Sequence, residues 1–257
     1  MKDITAVQPT SSTVALFATC MVDQFLPEAG IATTRLLERF GVQVEFPQSQ
    51  TCCGQPFFNS GHRPEAIARV KATIASLESY EAVVLPSGSC SAMIKVEYSH
   101  LLEEDPGWKL RAENLSQRTF ELSEFLAVWN ASTAPRSPGT RTQLSATYHD
   151  SCHMCRLLGL RSQPRQALAA TGVELLEMAE PDRCCGFGGS FSIRMPEIAR
   201  AMGVEKLHQA ERSGAQVLVT ADPGCLLHLR QCADSQDGRP PLLGIEHLAS
   251  VLEERTR

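Results

Sequence analysis

No stretch of the 257 residues reaches the roughly 20 consecutive apolar positions that a bilayer-spanning helix needs. The opening residues MKDITAVQPTSSTVALFATC have no basic region followed by a sustained apolar run. These two absences lead to the expectation of a cytoplasmic protein, with any membrane association peripheral and made through partners. A basic stripe is missing too. Lysine and arginine are scattered among acidic residues and the net charge is −5, so nucleic acid is not an expected partner. No GxGxxG fingerprint occurs, and GFGGS at Gly186 to Ser190 lacks its spacing, which argues against a nicotinamide or flavin dinucleotide site. The chain thus offers no visible site for organic chemistry. Apolar residues are not scarce: a hydrophobic fraction of 43% can fill the core of one large or two modest domains.

What the chain holds in quantity is cysteine, ten residues in all. In the reducing cytosol thiols are seldom structural disulfides, so metal binding or redox work becomes the leading explanation. An isolated cysteine is more simply read as a small buried core residue. Pattern reverses that reading here. The word Cys-Cys-Gly occurs twice, at Cys52-Cys53-Gly54 and at Cys184-Cys185-Gly186, and each copy has a single cysteine 32 positions before the pair, Cys20 and Cys152. Downstream, an apolar run and a small-residue turn close on a fourth cysteine in each half, VVLPSGSC at Cys90 and VLVTADPGC at Cys225.

The intervening segments match as well, so the chain is written twice. Residues 131–142, ASTAPRSPGTRT, have the composition of a linker, which predicts a first subdomain over 1–130 and a second over 143–257. Each half reads as strand, helix, strand, cysteine turn, helix, strand, cysteine turn, helix. In the first half these are VALFAT, a helix from Pro27 through Phe40 stopped at Gly41, GVQVEF, a helix from Pro64, and AVVLP. In the second they are QLSATYH, a helix from Gln163 to Thr171, GVELLE, a helix from Pro196 to Ser213, and AQVLVT. Strands alternating with helices predict an α/β fold: two homologous subdomains, each a small, largely parallel sheet flanked by helices. The four single cysteines all follow strands, and in open parallel sheets the loops beyond the strand carboxyl ends carry the chemistry.

Each half therefore offers four thiols from three loops, Cys20, Cys52, Cys53 and Cys90 in one and Cys152, Cys184, Cys185 and Cys225 in the other. Four thiolates are the usual ligand set of a [4Fe-4S] cluster. Adjacent cysteines diverge around one object when they sit in a turn, and Gly54 and Gly186 supply turn conformations and let backbone N–H groups approach sulfur. Two other readings stay open. Four thiolates also satisfy tetrahedral zinc, although zinc sites usually draw on Cys-x2-Cys knuckles and only Cys152 and Cys155 have that spacing. Metal-free thiol-disulfide chemistry at the vicinal pairs, or at Cys152-His153-Met154-Cys155, would need a thioredoxin-like context.

The paired Cys-Cys-Gly words with their flanking cysteines resemble the cysteine-rich CCG domain family over nearly the whole chain. That family includes the B subunit of heterodisulfide reductase, the iron-sulfur subunits of glycolate oxidase and anaerobic glycerol-3-phosphate dehydrogenase, and lactate-utilization proteins. The ferredoxin-type cysteine run of the glycolate and glycerol-phosphate subunits does not occur here. The stand-alone length, YHDSCHMCRLLGLRSQPR and CCGFGGSFSIRMPEIA look most like the lactate-utilization members. The heterodisulfide reductase subunit carries a fifth cysteine in each half where this chain has Met93 and His228, which puts non-cubane clusters and disulfide cleavage in doubt. The resemblance implies one or two iron-sulfur clusters per chain held by the eight cysteines, and an electron-transfer component that works with other subunits in oxidation of L-lactate to pyruvate. A disulfide reductase and a zinc-stabilised interaction module are the alternatives.

Neighbouring residues carry secondary expectations. His149, His153 and His228 could tune a cluster or replace a thiolate, and are read first as hydrogen-bonding loop residues. Asp150 and Asp222 are read as helix N-caps, and Cys155 and Cys232 as spare thiols. Phe57, Phe58, Phe187 and Phe191 are expected to shield sulfur from water. Arg35, Arg39 and Arg63 are read as solvated helix faces.

Overall fold

A central strand buried on both faces anchors each half. The computed structural model describes residues 12–129, 142–234 and 243–257, which form two compact units, the first within 12–129 and the second within the remainder. The expected connecting segment 131–142 lies outside the described residues except for Thr142, as do residues 1–11.

The first unit runs β1 (Thr13–Leu16), α1 (Cys20–Phe25), α2 (Pro27–Arg39), β2 (Gln43–Glu45), α3 (Gln55–Asn59), α4 (Arg63–Leu77), β3 (Val83–Leu85) and α5 (Gly88–Ala92). A π-helical turn over Met93–Glu97 leads into α6 (Tyr98–Leu101), followed by α7 (Pro106–Gln117), β4 (Thr119–Glu121) and α8 (Leu122–Trp129). The second runs β5 (Ser145–Tyr148), a π-helical turn over His153–Leu157, α9 (Ser162–Ala170), β6 (Glu174–Leu175), α10 (Ser190–Arg194), α11 (Pro196–Arg212), β7 (Val217–Thr220), α12 (Pro223–Asp234), β8 (Gly244–His247) and α13 (Leu248–Thr256). No described helix is long and apolar enough to cross a membrane.

Local chemistry explains these elements. Helix α2 opens on Pro27, whose missing N–H costs nothing in a first turn, with Glu28 at its positive end and Arg39 at its negative end. Ala29, Ala32, Thr33, Leu36 and Leu37 recur at helical spacing and form its buried stripe. Gly41 ends it with φ 77°, a left-handed conformation that glycine adopts freely. Helix α11 repeats the plan with Pro196 at its start and Gly214 (φ 75°) beyond its end.

Both sheets are wholly parallel, with orders β2-β1-β3-β4 and β6-β5-β7-β8. β1 and β3 are central, which is why Val14 to Leu16 and Val83 to Leu85 are buried and read as unbroken apolar runs. Ala15, Phe17, Val83 and Leu85 pack against Val70, Ile74 and Leu77 of α4 and against Met93, Tyr98 and Leu115. In each order the chain moves outward from the first strand in one direction and returns to its other side for the third. Such a reversal opens a crevice at the strand carboxyl ends, where ligands of open parallel sheets bind.

The expected α/β architecture with duplicated parallel sheets is what is found, with shorter strands. GVQVEF narrows to Gln43–Glu45 and GVELLE to Glu174–Leu175. The fourth strands β4 and β8, and helix α7, lie outside the sequence expectation. Three or four residues cannot display a period of two, and β4 owes its conformation to pairing with β3 through Val83, Val84 and Leu85.

Candidate metal centres

In the first unit Cys20 opens α1, and its helix cap is Thr19, which accepts from Val22 N at 3.5 Å. Thr19 has φ 69° and is buried; among the described residues it is the one non-glycine with positive φ. Such conformations cost of order 1–3 kcal/mol and persist only where the surroundings impose them. Gln50 supplies part of that imposition: its amide oxygen accepts from Ala18 N at 2.8 Å and its amide nitrogen donates to Leu16 O at 3.1 Å. It thereby ties the approach to Cys52 to the approach to Cys20.

Cys52 and Cys53 occupy the turn before α3, and Gly54 (φ 89°) completes it. Two buried hydroxyls pin this turn from below. Tyr98 Oη donates to Cys53 O at 2.8 Å, and Thr73 Oγ1 donates to Cys52 O at 3.3 Å. Cys90 lies in the first turn of α5, where Ser87 Oγ accepts from its N–H at 3.3 Å.

These loops bring the four sulfurs into one row. The Sγ atoms of Cys53 and Cys90 are 3.2 Å apart. Cys52 is a hydrogen-bond partner of both Cys20 and Cys53. Gly54 N donates to Cys52 Sγ at 3.5 Å. Hydrogen bonds from the Cys20 and Cys53 thiols, aided by Gly54 N–H and Arg69, lower the Cys52 pKa to about 3, whereas its two thiol partners are raised. Cys52 is therefore the thiolate of the row. Cys53 and Cys90 are buried, Cys20 and Cys52 half-buried. A cleft of about 350 Å³, lined by Thr19, Cys20, Phe46, Gln50 and Cys52 among others, opens on the accessible pair.

The second unit repeats the row. Cys184 is a hydrogen-bond partner of Cys152 and Cys185, and Cys185 of Cys225. Gly186 N donates to Cys184 Sγ at 3.4 Å and Phe187 N to Cys185 Sγ at 3.5 Å. The Cys152 and Cys185 thiols lower the Cys184 pKa to about 2, again making the first cysteine of the pair the thiolate. Asp222 caps α12 by accepting from Gly224 N at 3.1 Å and Cys225 N at 3.4 Å, the role expected of it. Asp150 does something else: its carboxylate takes two hydrogen bonds from Arg165, at 2.8 and 3.1 Å, and so anchors the Cys152 loop to α9.

Glycine is required at two of these places. A Cβ on Gly186 (φ 94°) would lie 2.4 Å from Ala199 O, and one on Gly224 would lie 2.4 Å from the Phe187 ring. The Phe187 ring thus packs against Gly224, on the turn that carries Cys225. Phe58 packs against the first core, while Phe57 is more exposed, at 36%.

The histidines separate. His228 Nε2 faces Ala199 O at 3.0 Å, so it is a hydrogen-bonding residue as expected. His153 opens the π-helical turn and is half-buried. His149 is fully buried, and neither ring nitrogen makes a hydrogen bond of good geometry among the described residues, although the Pro181 backbone carbonyl is near enough to favour a ring proton. A ring nitrogen of His149 and the sulfurs of Cys185 and Cys225 lie within 4.8 Å of one another. Burial, reinforced by Lys206, lowers its pKa to about 4, so the ring is neutral at pH 7. Cys155 Sγ turns toward Asp150 O (3.9 Å) and Cys152 O (3.8 Å), and Cys232 Sγ toward His228 Nε2 (3.6 Å).

Thr19, Gln50, Ser87 and Tyr98 were not singled out from the sequence. The first three flank cysteines, but the reach of Tyr98 to Cys53, 45 positions away, leaves no trace in spacing. Two rows of four thiols, each with one sulfur already a thiolate and amides directed at it, suit a soft metal or an iron-sulfur centre.

The CCG family, described as a cysteine-rich domain, matches residues 14–95 and 146–230. Lactate utilization protein A of Bacillus pumilus is 44% identical over 243 residues, covering 94% of this chain and 99% of that protein. The proteins of the same name from Halalkalibacterium halodurans (44% over 248 residues, 95% and 98% covered) and Bacillus subtilis (41% over 243 residues, 94% and 99%) are similarly alike. Among solved structures, a hypothetical protein from Helicobacter pylori superposes with a TM-score of 0.57 at 10% identity, over 95% of this chain and 49% of that one, a likeness of fold alone.

Proposed function

We propose, starting from the fact that this chain belongs to the family of cysteine-rich CCG domain proteins, that each unit holds an iron-sulfur centre, of the [4Fe-4S] type, through its four cysteines. The chain is then an electron-transfer component of a dehydrogenase complex that oxidises L-lactate to pyruvate. The observation that carries this reading is the twofold convergence of four thiols from three loops at the strand carboxyl ends.

The donor set fits such a centre. Thiolates are the usual ligands of iron-sulfur clusters, and such a centre supplies one-electron transfer when bound. The chain's residues do the rest. Cys20, Cys52, Cys53 and Cys90 would hold the first centre and Cys152, Cys184, Cys185 and Cys225 the second. Gly54, Gly186 and Phe187 direct backbone N–H groups at sulfur, contacts of the kind that set a cluster's potential. Cys53, Cys90, Cys185 and Cys225 form a buried side that excludes water, and Cys20 with Cys52 faces a cleft. That edge is where electrons would enter or leave. The hydride chemistry on lactate belongs to another subunit of the complex, and a reducing, cytoplasmic setting keeps ten cysteines as thiols.

Redox-monitored EPR on anaerobically purified protein tests the role. A relay gives a signal on reduction with dithionite, and L-lactate produces it only when other subunits have been co-purified. A chain that oxidises lactate alone, or reduces a disulfide unaided, is a catalyst and not a relay.

A further inference from the structure

The two thiol rows are alike, but their surroundings differ at one equivalent position. Phe17 and His149 each stand three residues before the first cysteine of their unit. Their backbones are equivalent as well. Phe17 N donates to Val84 O at 3.0 Å and His149 N to Val219 O at 2.9 Å, where Leu16 pairs with Val84 and Tyr148 with Val219. Both side chains are fully buried.

We infer that His149 is a nitrogen donor to the second centre in place of one of its four thiolates, which makes the two centres of this chain chemically different. The inference rests on the cluster reading above. Its first support is position: a ring nitrogen within 4.8 Å of the sulfurs of Cys185 and Cys225. Its second is that both ring nitrogens are buried and neither makes a hydrogen bond of good geometry among the described residues, the Pro181 carbonyl being a backbone acceptor close to the ring. A buried polar group left unpaired is costly, and native structures rarely keep one without a reason. Packing does not supply the reason, because the first unit fills the same place with a phenyl ring. Two other buried histidines of the unit each keep one ring nitrogen bonded: His228 Nε2 faces the carbonyl of Ala199, and His247 Nδ1 accepts from Ala249 N, with only its Nε2 left without a partner.

The chemistry agrees. Imidazole and thiolate are found together around iron, and a neutral nitrogen donor disfavours added electrons less than an anionic thiolate does, so it raises the potential. The second centre is accordingly the higher-potential one, and the first, walled by Phe17, the lower.

The test uses the full chain, prepared under nitrogen, with iron and acid-labile sulfide measured first. Cys53→Ser leaves the second centre alone and Cys185→Ser the first alone. Each variant is grown with natural-abundance and with 15N-labelled histidine, reduced with dithionite and examined by pulsed EPR. The expected result is a histidine-nitrogen coupling that changes with the isotope in the Cys53→Ser chain and is absent from the Cys185→Ser chain. His149→Phe, which copies the first unit, then abolishes the coupling and lowers the midpoint potential of any centre that remains. Iron and sulfide without histidine coupling in the Cys53→Ser chain overturns the inference and leaves the cluster reading standing, as does an equal coupling in both chains. Protein that binds neither iron nor sulfide overturns the cluster reading, and the inference with it. If His149→Phe does not fold, the labelled Cys53→Ser chain decides by itself.

Discussion

Cys53 and Cys90, 37 positions apart in the sequence, bring their sulfurs to 3.2 Å of each other in the interior of the first unit. Cys52, next to Cys53 in the chain, carries the depressed pKa and is half-buried. Reactivity follows the thiolate fraction and exposure. In metal-free protein at pH 7, iodoacetamide should therefore modify Cys52 and Cys184 before the other six thiols of the rows. With pKa values of about 3 and about 2, both are already ionised, so their rates should stay flat between about pH 6 and 8. Peptide mapping of a partial alkylation checks this. Rates that climb tenfold per pH unit at Cys52 would contradict it.

The two Cys-Cys-Gly turns should differ in their tolerance of a methyl group. Alanine at either glycine meets the left-handed penalty of about 1–2 kcal/mol. At Gly186 the added carbon also lies 2.4 Å from Ala199 O, against 3.4 Å from Ala66 O at Gly54. Gly186→Ala should thus cost about 1–3 kcal/mol more than Gly54→Ala, the usual range for forced overlap. Urea unfolding of the two variants measures the difference, and equal midpoints shifts would show that the α11 carbonyl gives way.

Glu121 provides a pH signature for the first unit. It is fully buried, and its Oε2 accepts from Ser123 N at 2.7 Å, from Ser123 Oγ and from Glu124 N at 3.3 Å. Burial outweighs these bonds and raises its pKa from 4.5 to about 7. Between those values the folded unit keeps a proton that the unfolded chain has released. Stability is then full below about pH 4.5 and falls as pH rises toward 7, by roughly 3 kcal/mol for a shift of that size. Glu121→Gln should remove this slope. Parallel curves for parent and variant over that window would refute the assignment.

Much of this was legible in the sequence because it is carried by spacing. Two sets of cysteines at matched intervals announced the duplication, and apolar runs alternating with helical segments announced parallel sheets. What stayed hidden depends on contacts between distant residues. Asp150 and Asp222 look alike in the sequence, each near a cysteine, yet Arg165 claims one and the amides of α12 claim the other. The short strands β4 and β8 take their form from their neighbours. His149 could be seen beside a cysteine loop. That both of its nitrogens lack a well-formed hydrogen bond, while His228 Nε2 faces a carbonyl and His247 Nδ1 accepts an amide, is decided by α11 and α13, far along the chain.

The central claim is that each row of four thiols binds an iron-sulfur centre, and the most direct measurement is iron, zinc and acid-labile sulfide per chain in protein prepared without oxygen. The account predicts about eight iron and eight sulfide for two [4Fe-4S] centres, with each of Cys53→Ser and Cys185→Ser retaining about half. About two zinc per chain with no sulfide, or no bound metal at all, would contradict it.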